Sequence, residues 1–164
     1  MNGALARGLI GNTSFRMKID LENALRARRA QIRARWLEIL FVEPVNTPLG
    51  NPGTLVFLLD ETLDAVFAAL HRGPFTRPVI APECACGRNP YLSYFRAGTQ
   101  ALFEALVLIQ VEIPNLDPAE RDTSFVELRC VINRLARQEI DGFGSLCKLR
   151  NHPPHKAPED QPCA

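Results

Sequence analysis

Histidine is scarce in this chain, and that scarcity removes several chemistries at once. Only His71, His152 and His155 occur, and none falls within the expected first, third or fourth helix. A di-iron carboxylate bundle needs Glu-x-x-His on two core-facing helices, and the motif is missing. A globin-like haem site needs a proximal histidine on an inner helix, whereas His71 sits at the very end of the second. Only Cys130 or Cys147 would be left as a haem ligand. The phosphate loop Gly-x-x-x-x-Gly-Lys, the dinucleotide fingerprint Gly-x-Gly-x-x-Gly and the Gly-x-Ser-x-Gly elbow are absent as well.

Other shortages bound the class. No strand-length segment alternates apolar and polar residues, which argues against a sheet. The most apolar stretch, Ala101 to Ile113, is broken by Glu104, Gln110 and Glu112 and falls short of the roughly 20 residues that span a bilayer. The net charge of +1 gives no global attraction to nucleic acid or acidic partners. Residues 1–17 hold only scattered Leu5, Leu9 and Ile10, too few for the apolar run of a secretory signal. Five cysteines, an odd number, then read as reduced thiols in a cytoplasm.

What the chain does have is helical periodicity. With 46% apolar residues over 164 positions it can bury a core without staples. We expect a flexible extension over 1–17, a single helical domain over 18–149 and a disordered, proline-rich tail over 150–164. The first helix should run from about Asp20 to Val42, with Leu21, Leu25, Ile32, Trp36, Ile39 and Leu40 on one stripe. Asn51-Pro52 should cap and open the second, which Gly73-Pro74 stops. Asn89-Pro90 repeats that start for a third helix, to about Glu112, apolar on nearly every side and so expected at the bundle centre. Asp117-Pro118-Ala119-Glu120 opens the fourth, whose stripe includes Phe125, Leu128, Ile132, Leu135, Phe143 and Leu146. The fold class is all-α, four main helices in a bundle or globin-like arrangement.

Cys84-Ala85-Cys86-Gly87, just ahead of Asn89-Pro90, is where reactive chemistry can be sought. Thiols near the positive end of a helix deprotonate more easily. Cys84 and Cys86 would supply two ligands for zinc or another metal, but a closed site needs four. Cys147, His71, His152, His155 and Cys163 are the candidates for the rest, and spacing does not select among them. A redox pair is the alternative; a disulfide two residues apart would be strained and easily reduced. Against both stands a plain reading of two small side chains packed beneath a loop. Cys130 and Cys147 lie near an apolar stripe and read as buried and inert.

Arginines flank the first helix: Arg26, Arg29 and Arg33 on one side, Arg28 and Arg35 on the other. Without interleaved aromatics they read as snorkelling stems with solvated heads rather than an RNA surface. Asp60 and Asp64, four apart on the second helix, read as a solvated acidic face.

The order of features resembles a known family. Arg35-Trp36-Leu37-Glu38-Ile39-Leu40, Leu49-Gly50-Asn51-Pro52, Leu63-Asp64-Ala65-Val66-Phe67-Ala68-Ala69-Leu70 and Phe103-Glu104-Ala105-Leu106 precede a long fourth helix with Ile132 and Phe143. Over about residues 20–148 they resemble the amino-terminal sensory domain of RsbR/RsbRD-type stress-response co-antagonists. The resemblance implies a globin-like, dimeric, haem-free helical fold that senses a stimulus or holds partners and does not catalyse. It does not account for the Cys-x-Cys-Gly loop. With about 15 residues after the fourth helix, such a sensor would act through a partner chain. The expected function is a non-enzymatic cytoplasmic sensor or interaction module in a signalling pathway, a homodimer, with a thiol-redox or metal-binding protein as the alternative.

Overall fold

The computed structural model describes residues 20–42, 52–73, 80–84 and 89–146. The expected extension, the tail, Asn51, Cys86, Cys147, Cys163, His152 and His155 lie outside them. The described residues form an all-helical body without strands: α1 (Leu21–Ala27), α2 (Arg29–Val42), a 3-10 segment (Pro52–Leu58), α3 (Leu59–His71), α4 (Pro90–Glu112) and α5 (Pro118–Leu146).

Helix starts follow local cap chemistry. The Asp20 carboxylate accepts the Asn23 N–H at 3.2 Å, Asn89 Oδ1 accepts the Tyr91 N–H at 3.0 Å, and Asp117 Oδ1 accepts the Ala119 N–H at 3.0 Å. Ends are equally local. Gly73 takes φ 109°, a left-handed conformation that its missing Cβ permits, and closes α3. Ile113, ahead of Pro114, is extended because proline disfavours helical geometry in the preceding residue.

Two helices differ from expectation. The first helix is divided at Arg28 (φ −102°, ψ 13°) into α1 and α2. Arg26 to Ala30 are good helix formers, so local propensity does not account for the break; there the Arg28 guanidinium bonds Gln31 on the next turn and Glu112 on α4. The second helix begins with seven residues of 3-10 geometry before α3. Three residues per turn put Leu55 and Leu58 in line toward the core and turn Phe57 outward, 75% exposed.

One hydrophobic core joins all the helices. Cross-helix bonds fix their directions. Arg28 meets Glu112 and Arg35 meets Glu104, so α2 runs antiparallel to α4. Phe103 meets Phe125 and Asn89 Nδ2 reaches the Ile140 carbonyl, so α5 is antiparallel to α4 on another flank. Arg29 meets Asp60 and Glu22 meets His71, which sets α3 antiparallel to α1–α2.

At the centre Trp36 is fully buried, donates Nε1–H to the Tyr94 carbonyl at 3.0 Å, and packs tilted on the Tyr94 ring. Gly98 makes room for it. The Tyr94 hydroxyl shares a 2.9 Å hydrogen bond with Thr62, and burial pushes its pKa up to about 12.

α4 packs against α1, α2, the 3-10 segment and α5, in the central place expected of it, but one flank stays open. Ala97, Ala101, Leu102, Ala105 and Leu106 are buried, but Val107, Leu108 and Val111 are 47%, 43% and 78% exposed. Helices cover the other flanks of α4, and this one faces solvent.

Candidate functional site

The arginine flanks resolve into cross-helix ion pairs. Arg29 bonds the Asp64 carboxylate and Asp60, and Arg33 reaches Asp60 at 3.1 Å. Arg35 grips Glu104 through Nε at 2.7 Å and Nη2 at 3.2 Å, a two-pronged fit that a guanidinium matches well. Arg26 pairs with Glu22 and lies 5.0 Å from the Phe67 ring centroid. The acids respond: hydrogen bonds from Arg33 and Arg29 hold Asp60 below its ordinary pKa, Arg29 does the same to Asp64, and Arg35 with Gln100 to Glu104. Thus Arg28, Arg29, Arg33 and Arg35 reach carboxylates of neighbouring helices and Arg26 one on its own helix, and Asp60 and Asp64 are paired while still solvent-exposed. These five arginines are used within the fold.

The thiol loop is described only in part. Cys84 is half-buried and packs against the edge of the core; Cys86 lies outside the described residues. Cys130 is buried on α5, as its place on the stripe implied. Neither Cys84 nor Cys130 is in a disulfide. His71 is 78% exposed and hydrogen-bonds Glu22 Oε2 at 2.9 Å. Among the described residues no group of three or more His, Cys, Asp or Glu is placed to hold a metal ion.

Buried polar groups are committed to structure. Gln110 donates to the Arg121 carbonyl at 3.1 Å, and the Ser124 hydroxyl to the Glu120 carbonyl at 2.8 Å. Every buried side-chain nitrogen or oxygen among the described residues has a hydrogen-bond partner. None is left aimed at a substrate. No described helix is long and apolar enough to cross a membrane.

The surface holds the remaining candidate. Phe103, Val107 and Val111 follow one another at four-residue spacing along α4, with Leu108 beside them. Beside this ridge, between α2 and α4, lies a shallow groove of about 270 Å³ lined by Ala34, Ala101, Ala105 and Leu108 and edged by Arg35 and Glu104. The composition of α4 was visible in the sequence; which flank stays open depends on where α2 and α5 dock.

No protein-family model, curated protein sequence or solved structure matches this chain.

Proposed function

We propose that this chain is a non-enzymatic cytoplasmic sensor or protein-interaction module, of the kind its RsbR-type resemblance implies, and that it works as a homodimer through the open flank of α4. The observation that carries the reading is the exposed row of Val107, Leu108 and Val111 on a helix otherwise packed into the core. Contiguous apolar side chains on a surface point to an interaction site, whereas scattered ones are normal.

The occupant we assign is a second copy. A ridge running beside a groove on the same face is self-complementary under a two-fold axis, each ridge entering the other groove. The patch is edged by charges of both signs, Arg28 and Arg35 with Glu38, Glu104 and Glu112, which suits a near-neutral copy better than a strongly charged partner. Six half-exposed Val and Leu side chains would gain about 1 kcal/mol each, roughly 6 kcal/mol in all. Association costs about 4 kcal/mol or more, so the groove contacts and the charges at the edge of the patch must add to this gain, and the dimer expected is weak and reversible.

Light scattering behind size exclusion, up to about 100 μM protein to exceed a weak Kd, tests it. The expected mass is twice the 18.3 kDa chain at the top of the range. Val107→Glu with Val111→Glu should return the single-chain mass. A wild type that stays monomeric throughout would sink the dimer.

A further inference from the structure

Two large apolar side chains at the far end of the α2–α4 groove are open to water. Phe41 and Val42 close α2 and are 74% and 82% exposed. Gln31, Arg35 and Glu38 form the α2 bank of the groove, and Val42 continues that row at three-to-four spacing. On the opposite bank Glu104 and Leu108 lead in the same way to Val111. Because α2 runs antiparallel to α4, Val42 and Val111 stand at opposite ends of the face, with the Arg35–Glu104 pair between them.

The spacing is symmetrical. Seven residues lead from Arg35 to Val42 and seven from Glu104 to Val111, about 10 Å along each helix at 1.5 Å per residue. A two-fold axis lying in the face, perpendicular to the Val42–Val111 line at its midpoint, therefore carries each apolar end of one copy onto the opposite end of the other. The Arg35–Glu104 pair falls near that axis and, being neutral as a pair, meets its own copy without net repulsion. An axis along the helices would instead set the ridge against Arg28 of the other copy, which is level with Val111 through its bond to Glu112. Apolar matching selects the first arrangement.

We propose that the dimer is antiparallel, with the Phe41–Val42 end of α2 in one copy seated on the Val107–Val111 ridge of α4 in the other, twice over. The proposal rests on the dimer reading above and names the surface that covers the ridge.

Charge complementation tests the pairing. Val42→Glu and Val111→Lys should each weaken the dimer at least about tenfold when alone, because a charge is then buried against valine at both junctions. Mixed in equal amounts at about 100 μM, the two variants should recover the dimer mass in light scattering. One junction then joins carboxylate to ammonium, and the other keeps valine on valine. Both positions face solvent in a single chain, so melting temperatures at about 1 μM should match the wild type, which separates lost pairing from lost folding. A mixture that stays monomeric overturns the arrangement. So does a Val42→Glu protein that dimerises like the wild type, or recovery when Val111→Glu is mixed with Val111→Lys. Any of these results beside a wild-type dimer removes only the antiparallel seat; a wild type that never dimerises removes the dimer as well.

Discussion

A Cβ added to Gly98 would lie 2.2 Å from Cζ2 of Trp36, far inside van der Waals contact. The indole cannot retreat: it is buried, and its Nε1–H is bonded to the Tyr94 carbonyl. Gly98→Ala therefore sets a helix-propensity gain of about 1 kcal/mol against overpacking of about 3 kcal/mol or more, and overpacking wins. Gly142, with nothing within 4 Å of a built Cβ, is the control; there alanine should stabilise by about 0.5–1 kcal/mol. Urea melts of the two variants should move in opposite directions, and equal shifts would show that the Trp36 contact is not limiting. Tyr94 gives a second test at this scale. Its pKa is raised to about 12 chiefly by burial, so the folded state resists ionisation. Stability from this group is whole below the ordinary value of 10.0 and is lost as pH rises toward about 12. Tyr94→Phe should flatten that alkaline decline in a pH series of denaturant melts, at the expense of about 1 kcal/mol for the Thr62 hydrogen bond. Trp36 was legible as a core residue from its stripe. Its partner Gly98 was not, because the contact joins residues 62 positions apart and leaves no local pattern.

Between elements, acid–arginine pairs join α1–α2 to α3 and to α4. Asp60, Asp64, Glu104 and Glu112 all have pKa values lowered by arginine hydrogen bonds. A lowered folded-state value means stability is present above the ordinary carboxylate values of 3.8 and 4.5 and is lost as pH falls below them. Asp60→Asn with Asp64→Asn should make the melting temperature less sensitive to pH below about 3.8, with little change near pH 7, since exposed pairs contribute little each. An acid limb unchanged by the double substitution would remove these pairs from the account. Helix starts at Asp20, Asn89 and Asp117 were readable because a cap is made by residues two or three apart. The break at Arg28 and the pairing of Asp60 with Arg29 and Arg33 were not. A charged residue on a helix face reads the same whether its opposite number is water or another helix, and only docking settles which.

For the molecule as a whole, the all-helical class followed from periodicity, yet the open flank of α4 did not. An almost uniformly apolar segment implies a central helix but not which of its flanks stays open, and the fold leaves Val107, Leu108 and Val111 exposed. If a second copy covers them, folding and association are linked, and the melting temperature must depend on protein concentration. Each tenfold rise in concentration above Kd contributes about 1.4 kcal/mol per dimer, or about 0.7 per chain. For a domain of this size that is a rise of roughly 1–3 °C per decade. Val107→Glu with Val111→Glu should abolish the concentration dependence, because two carboxylates in each half of the patch would have to be buried unpaired. The same pair is solvent-facing in a single chain, so its melting temperature should match that of the wild type at the lowest concentration. A wild-type melting temperature flat from about 1 to 100 μM would mean that α4 faces water by itself.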